Sequence, residues 1–268
     1  MPSEGSVRFA DAIRRTVIVQ SKRAYVGHIG SSLSIADLVA VVFHERIRLE
    51  GGADRDRFVL SKGHAALALY AALDELGRLP DGAIDTYCAD GSQLGVHPEI
   101  DLEGIDFASG SLGQGLSIAT GAALAARVQG SDRKVYVVLS DAELNEGNVW
   151  EAIMFAGHHR LENLVLLIDL NGQQALDFTP DVLDLGDVAA KLASFGWDAA
   201  AVPGHDHDAL GTALDAPSAG KPRAIVAQTT FGYGVSYMES EIKWHYLPLS
   251  DELFADAQRD LAALEAQR

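Results

Sequence analysis

The chain has 268 residues, of which 48% are hydrophobic, and it carries a formal net charge of -17 at pH 7. This size suffices for a buried core, and because no Pro/Ser-rich linker divides the chain, we expect residues 1–268 to form a single domain. The acidic surface argues against binding to nucleic acid or anionic lipid, and the only cysteine, Cys88, excludes an intramolecular disulfide. The first residues lack an apolar signal core and the apolar runs are too short to span a bilayer, so we expect a cytoplasmic protein without a membrane segment.

Hydrophobic periodicity predicts helices in the first half of the chain and strands that alternate with helices in the second half. The predicted helices span residues 6–26, 34–47, 65–77, 115–129, 147–160, 187–195, 206–214 and 251–266. The predicted strands are the apolar runs at residues 134–140, 164–169, 199–202 and 223–229. This alternation predicts an α/β fold, with a parallel sheet flanked by helices on both faces. In such folds, ligands bind beyond the carboxyl ends of the strands.

Polar side chains follow two of the predicted strands. Asp141 comes directly after the first strand, and Asn171 follows the next strand along the chain. A βαβ unit of about 30 residues returns the chain to an adjacent parallel strand, so we expect the two side chains to lie side by side. A carboxylate and an amide oxygen suit Mg²⁺ or Ca²⁺, with phosphate oxygens completing the coordination shell. Because Asp and Asn are also common caps and turn formers, the spacing alone leaves both interpretations open.

The stretch SDAELNEGNVWEAIMFAGHHRLENLVLLIDLNGQ, at residues 140–173, resembles the metal-binding segment of transketolases almost throughout. In that family a Gly-Asp-Gly segment is followed, after a helix and a strand, by Asn. The resemblance to the N-terminal, diphosphate-binding domain of transketolases extends from about Val7 to Pro248. It implies a thiamine-diphosphate-binding fold, with thiamine diphosphate and Mg²⁺ (or Ca²⁺) as cofactors. The implied metal ligands are the side chains of Asp141 and Asn171 and the backbone carbonyl of Gln173.

Two positions depart from the family's Gly-Asp-Gly segment, because Ser140 and Ala142 stand where the glycines are expected. The second glycine normally brings its backbone N–H against the diphosphate. Alanine keeps this N–H, but it cannot adopt a positive φ cheaply. Ala142 therefore either has a negative φ or reduces the affinity for the cofactor.

Four histidines have local sequences that match the transketolase pattern, and we expect them to be catalytic: His28, His64, His97 and His245. Imidazoles can hydrogen-bond phosphate, hydroxyl and carbonyl oxygens, and they move protons near neutral pH. The resemblance implies that His64 and His245 face the diphosphate and the reacting centre, whereas His28 and His97 face the substrates. His205 and His207 lack such a context, and we expect them to be solvated loop residues.

The segment SGSLGQG at residues 109–115 precedes the Ala-rich helix. Glycines let the backbone approach a ligand and a helix N-terminus favours anions, although a tight turn would have the same pattern. By resemblance, this segment contacts the thiazolium ring, with Leu112 packed on it, and Glu146 faces the neighbouring domain across the cofactor. The cofactor-binding residues implied by the resemblance are His64, Gly110, Leu112, Asp141, Ala142, Glu146, Asn171 and His245.

The chain stops where the second domain of transketolases would begin. In the family, that domain supplies the glutamate that activates the pyrimidine ring and most groups that bind a substrate phosphate. The resemblance therefore implies a separate C-terminal subunit that carries the pyrimidine-binding domain, and an α₂β₂ heterotetramer that is active only when assembled. The implied reaction is the thiamine-diphosphate- and Mg-dependent transfer of a two-carbon ketol unit from a ketose donor to an aldehyde acceptor.

Two alternative functions remain open. A related thiamine-dependent synthase, such as a deoxyxylulose-phosphate synthase, would join an acyl unit to an aldehyde. The stretch NEGNVWEA and the pair Trp244-His245 favour the transketolase reaction instead. A non-catalytic regulatory or partner-binding subunit derived from the same domain is supported only by Ser140 and Ala142.

Overall fold

The computed structural model describes residues 2–268. The α-helices are α1 (Pro2–Ala24), α2 (Ile29–Ser34), α3 (Ala36–Glu45), α4 (Ala66–Glu75), α5 (Gln114–Val128), α6 (Gly147–His158), α7 (Thr179–Leu183), α8 (Val188–Ser194), α9 (His207–Asp215) and α10 (Asp251–Glu265). The strands are β1 (Arg57–Leu60), β2 (Val135–Ser140), β3 (Leu164–Leu170), β4 (Asp198–Pro203) and β5 (Arg223–Gln228). Short 3₁₀ helices include Gly63–Ala65, Asp141–Asn145 and Ile242–His245. None of these helices is both long and apolar enough to cross a membrane.

The strands form a parallel sheet in the order β1-β2-β3-β5-β4. The ends of β2 and β3 are in register, with Ser140 opposite Asp169, and Asp169 lies opposite Ala227 of β5. Because the strands all point the same way, the polar segments that follow them meet at one edge of the sheet. The Asp141 and Asn171 segments are therefore neighbours, as the spacing predicted.

Each face of the sheet buries its own apolar core. On one face, Tyr136 and Val138 pack with buried residues of α1, α3 and α4. On the other face, Val137 and Leu139 pack with buried residues of α5, α6 and α8. Successive side chains of a strand point to opposite faces, so a strand covered on both sides must be apolar throughout. This arrangement confirms the predicted α/β fold with helices on both faces of a parallel sheet.

Strand β1 is the main element that the sequence pattern did not predict. It has only four residues and directly follows the polar Asp56. Phe58, Val59 and Leu60 are nevertheless buried, and the strand pairs with β2 at the edge of the sheet. Pairing with a distant strand, which no local pattern reveals, makes this segment a strand. The helix predicted at residues 34–47 corresponds to α3, which a short additional helix, α2, precedes.

Candidate active site

A cavity of about 230 Å³ lies at the carboxyl ends of β1, β2 and β3. It brings together most of the side chains that the sequence singled out. Those that line it are His28, His64, His97, Gly110, Leu112, Ala142, Asn171, Gln173 and His245. Asp141 is fully buried next to Ala142, whereas Glu146 is exposed, and neither belongs to the lining of this cavity.

The carboxylate of Asp141 is held at the tip of β2 by three hydrogen bonds. Its Oδ2 accepts from the backbone N–H of Gly172 at 2.8 Å and from the hydroxyl of Thr179 at 3.0 Å. Its Oδ1 accepts from the backbone N–H of Ala142 at 2.9 Å. Burial, together with the nearby Asp169 carboxylate, raises the pKa of Asp141 to about 7. A divalent cation would offset the repulsion between the two carboxylates and favour the ionised form of Asp141. The surroundings of Asp141 therefore suit a carboxylate that binds a metal ion.

Asn171 and Gln173 complete this part of the site. Nδ2 of Asn171 donates to Asp169 at 2.8 Å, and Oδ1 of Asn171 accepts from the backbone N–H of Gln173 at 2.9 Å. These bonds fix which side of the amide is the oxygen, and an amide oxygen can bind a hard cation. The side-chain amide of Gln173 lines the cavity, is 3% exposed, and has no hydrogen-bond partner within residues 2–268. A buried amide without a hydrogen-bond partner costs free energy, so a ligand that bonds to it in this cavity would be favoured.

An ion pair that the sequence did not predict lies at the floor of the cavity, and its lysine, Lys62, is one of the lining residues. The ammonium group of Lys62 donates to the carboxylate of Asp169 and, at 3.3 Å, to the carbonyl of Ser31. Asp169 also accepts from the hydroxyls of Ser34 and Thr229. Burial alone would raise the pKa of Asp169, but the Lys62 charge and these hydrogen bonds hold this pKa below its usual value. This network ties β1, β3, β5 and α2 together around the floor of the site.

Three of the imidazoles in the cavity are held in the neutral form. Burial lowers the pKa of His245 to about 4, with the Ile242 carbonyl opposing the shift and Lys62 adding to it. Burial and the Lys62 charge hold the pKa of His64 well below its usual range, and burial together with His97 lowers the pKa of His28. Neutral rings can both donate and accept a hydrogen bond, which suits contacts to sugar hydroxyls and carbonyls.

Local packing fixes the position of each ring. Nε2 of His64 lies 2.8 Å from the hydroxyl of Ser31. The ring of His245 stacks on Phe231, with ring centroids 4.3 Å apart, and its Nδ1 lies 3.1 Å from the Ile242 carbonyl. Because a carbonyl can only accept, Nδ1 carries the proton, and the neutral ring offers Nε2 as an acceptor. His28 has a left-handed φ of 61°, and its backbone N–H donates to the His245 carbonyl at 3.0 Å.

The glycine-rich segment approaches the cavity closely. A Cβ on Gly110 would lie 3.2 Å from the ring of His97, so a larger residue would crowd this histidine. Gly113 caps the N-terminus of α5 with a positive φ of 85°. Leu112 is 39% exposed and lines the cavity, which leaves its side chain available to a ligand. The position of this segment is therefore set by close backbone contacts.

Ala142 lies in the 3₁₀ helix that follows β2 and does not have a positive φ. Its backbone suits alanine as well as glycine, which answers the question that the sequence left open. Glu146 caps α6 in an extended conformation with its side chain exposed. The structure therefore does not bring Glu146 to the cavity described here.

The prediction that His205 and His207 are solvated loop residues was wrong. Nδ1 of His205 lies 2.6 Å from Oδ2 of Asp37, and Nε2 of His207 lies 2.8 Å from Oδ1 of the same carboxylate. The His207 side chain is only 2% exposed and that of His205 only 14%. Asp37 is fully buried on α3 and also pairs with Arg14 of α1. This charge cluster forms only through tertiary packing. The polar local sequence around the two histidines therefore indicated a solvated loop incorrectly.

A family model described as the thiamine diphosphate binding domain of transketolase matches residues 6–266. The chain therefore belongs to this family, and the resemblance seen in its motifs is confirmed. Thiamine diphosphate is accordingly the cofactor that the domain is built to bind.

Similar proteins include subunits of nearly the same length and longer enzymes. The 6-deoxy-6-sulfo-D-fructose transketolase subunit of Clostridium sp. (strain MSTE9) is 36% identical over 259 residues, which cover 94% of each chain. An apulose-4-phosphate transketolase subunit from Phocaeicola vulgatus is 35% identical over 256 residues, covering 93% of this chain and 91% of the relative. The solved transketolases of Leishmania mexicana and Campylobacter jejuni superimpose with TM-scores of 0.83 and 0.85, each at 28% identity. The superpositions include 98% and 95% of this chain, respectively. They include only 45% and 43% of the two solved chains, so this chain spans less than half of their length.

Proposed function

We propose that this chain is the N-terminal, thiamine-diphosphate-binding subunit of a two-subunit transketolase. In this proposal residues 1–268 form one domain, and the assembled enzyme transfers a two-carbon ketol unit from a ketose donor to an aldehyde acceptor. The observation that carries the proposal is the junction of the Asp141 and Asn171 strand tips beside a cavity lined by four histidines. Relatives of nearly the same length that are named as transketolase subunits support it.

The strand tips would hold Mg²⁺ or Ca²⁺ and, through it, the diphosphate of the cofactor. Side-chain oxygens of Asp141 and Asn171 and the backbone carbonyl of Gln173 are the proposed protein ligands. Ala142 and the wall formed by Gly110 and Leu112 line the cavity and would contact the cofactor. When bound, thiamine diphosphate supplies the electron sink that lets a carbon–carbon bond of a ketose break and re-form.

The histidines would bind and orient the substrates and move their protons. Nε2 of His245 is the acceptor that this ring offers to a hydroxyl group, and the neutral ring of His64 lines the same cavity. His28 and His97 would hydrogen-bond the oxygens on the first carbons of the donor and the carbonyl of the acceptor. Neutral imidazoles suit this role because each ring can donate one hydrogen bond and accept another from a substrate oxygen.

A C-terminal subunit with the pyrimidine-binding domain would complete each site, and we propose an α₂β₂ heterotetramer. Leu112 is 39% exposed and Tyr246 is 61% exposed, although both line the cavity. This exposed rim is the part of the site that the second subunit would cover. Among the alternatives, the regulatory subunit loses the support of Ala142, since this residue has no positive φ.

Reconstitution with the native C-terminal subunit tests the proposal. Thiamine diphosphate should bind the pair only in the presence of Mg²⁺ or Ca²⁺, as measured by calorimetry, and the loaded pair should transfer ketol units from a ketose to an aldose. Donors that carry a phosphate, a sulfonate or no anionic group should be compared, because the names of the two relatives include a sulfonated and a phosphorylated sugar. A pair that binds the cofactor without any metal, or not at all, would overturn the proposal.

A further inference from the structure

Glu143 is a buried carboxylate that the proposed reaction does not use. It is fully buried and does not line the cavity. Its Oε1 accepts from the hydroxyl of Ser61 and, at 2.8 Å, from the backbone N–H of Gly113. Its Oε2 accepts from the backbone N–H of Ser140 at 2.9 Å. Burial raises the pKa of Glu143, and these three donors oppose the shift by stabilising the charged form.

The three donors come from segments that are far apart in the chain. Ser61 follows β1, Ser140 ends β2, and Gly113 precedes the first residue of α5. The hydroxyl oxygen of Ser61 also accepts from the backbone N–H of Gly115 at 3.1 Å. Glu143 and Ser61 together therefore bind two N–H groups at the start of α5 and connect them to the tips of two strands.

The segment held in this way forms one wall of the cavity. Gly110 and Leu112 line the cavity, and they immediately precede the bonded Gly113. A Cβ on Gly113 would lie 2.7 Å from both Glu146 and Asn148, so the backbone is packed tightly here. A small shift of Gly113 would move Leu112, since the two residues are adjacent.

We propose that Glu143 is a positioning residue that fixes residues 109–115, so that Gly110 and Leu112 are held ready against the cofactor. The proposal rests on the proposed function, because it assigns the cavity to thiamine diphosphate. The sequence indicates part of this role. Ser140 and Glu143 have the S-x-x-E spacing of a capping box, in which the glutamate accepts from the backbone N–H at the start of a helix.

The geometry requires a carboxylate rather than an amide. Glutamine would place an NH₂ group where one of the oxygens stands. On the Oε2 side this group would face the N–H of Ser140, and on the Oε1 side it would face the N–H of Gly113. Either orientation sets the NH₂ group against a backbone N–H and leaves that buried N–H unpaired.

The experiment compares E143Q with a matched control, D56N. Asp56 is also buried and accepts two backbone N–H bonds, from Lys134 at 2.7 Å and from Arg48 at 2.9 Å, at the opposite end of the sheet. Hydrogen–deuterium exchange of Gly113 and Gly115 is measured in the full chain without cofactor. Thiamine diphosphate affinity and the rate at saturating cofactor are then measured after pairing with the C-terminal subunit.

In E143Q the Gly113 and Gly115 amides should exchange at least tenfold faster than in the wild type. The dissociation constant of the cofactor should rise at least tenfold, while the rate at saturating cofactor falls by a smaller factor. In D56N the exchange of the two amides and the dissociation constant of the cofactor should each change less than twofold after correction for global stability. Unchanged exchange in E143Q, or equal effects of D56N, would overturn the proposal.

S61A keeps the test decisive if E143Q does not fold, because it removes one donor and leaves the carboxylate paired with Gly113 and Ser140. It should accelerate exchange at Gly115 more than at Gly113, and exchange equal to the wild type would contradict the proposal. The exchange experiment needs neither cofactor nor partner. If the wild-type pair binds no thiamine diphosphate, the proposed function fails, but the role of Glu143 in fixing the segment is still decided.

Discussion

Oδ2 of Asp141 lies 2.8 Å from the backbone nitrogen of Gly172, although the two residues are 31 positions apart in the chain. The parallel register of β2 and β3, with Ser140 opposite Asp169, produces this contact. The two proposed metal-binding segments are thus joined by the fold itself. A cation that binds here does not have to bring them together, so little ordering cost opposes its binding.

The substitution D141N should separate metal binding from folding. Asparagine retains one acceptor for Gly172 or Thr179 but removes the negative charge. Loss of a charged metal ligand should weaken Mg²⁺-dependent binding of thiamine diphosphate about 100-fold, or roughly 3 kcal/mol. The free energy of unfolding of the metal-free chain should change by less than about 2 kcal/mol, because removal of a charge that burial and Asp169 disfavour is opposed by the loss of one backbone hydrogen bond. Calorimetry of the assembled pair and urea unfolding of the chain measure the two effects.

Asp132 provides the control for charge loss, since its side chain is 81% exposed. D132N should leave cofactor binding unchanged. Wild-type affinity in D141N would show that the Asp141 carboxylate is not a ligand of the metal.

The substitution A142G tests the departure from the family's second glycine. Because Ala142 does not have a positive φ, glycine gains no conformational advantage at this position. We expect the dissociation constant of thiamine diphosphate to change less than about threefold, and the free energy of unfolding to fall by about 0.5–1 kcal/mol through the greater flexibility of glycine. A gain in cofactor affinity of tenfold or more in A142G would mean that the Cβ obstructs the diphosphate.

The sequence predicted the long apolar strands and the residues after them well. β2 and β3 are covered on both faces, so their apolar runs are continuous, and the polar residues that follow them mark the edge of the sheet. Nine of the predicted site residues line one cavity. Four of them, His64, Ala142, Asn171 and Gln173, follow parallel strands that end at the same edge of the sheet. Ala142 shows the limit of motif comparison, since only the backbone angle could decide whether alanine suits the position.

The residues that the sequence missed act through tertiary contacts. Lys62 and Asp169 are 107 positions apart and meet only when β1 and β3 join the same sheet. The buried position of His207 depends on Asp37, which is 170 positions away. Charged and polar residues are usually exposed, so a local pattern favours a solvated loop unless a distant partner is known. Glu143 is an exception, because its spacing from Ser140 is a local signal.

The buried pair of Lys62 and Asp169 should matter more for stability than an exposed ion pair. The substitution K62M leaves the Asp169 carboxylate, which is fully buried, without its cation. We expect a loss of about 3–5 kcal/mol in the free energy of unfolding at pH 7. This deficit should shrink as the pH falls towards 5, because protonation relieves the unpaired charge. Urea unfolding at both pH values measures it.

The double variant K62M/D169N serves as the control for this prediction. Removal of the second charge should recover part of the lost stability, and the pH dependence of the deficit should disappear. D169N should also be measured alone. If it destabilises the K62M variant as much as it destabilises the wild type, the two charges are not coupled.

The low pKa of His245 predicts a pH dependence of stability. Burial lowers the pKa of this imidazole from 6.5 to about 4, so between these values the unfolded chain binds a proton that the folded chain resists. The contribution of His245 to stability is therefore complete above pH 6.5 and is lost as the pH falls towards 4. By linkage, the loss amounts to about 2 kcal/mol between pH 7 and pH 5. In H245Q this component should be absent, so the wild-type chain should lose about 2 kcal/mol more than the variant when urea unfolding is compared at the two pH values. Equal pH dependence in the two proteins would mean that the imidazole is solvated and not buried against Phe231.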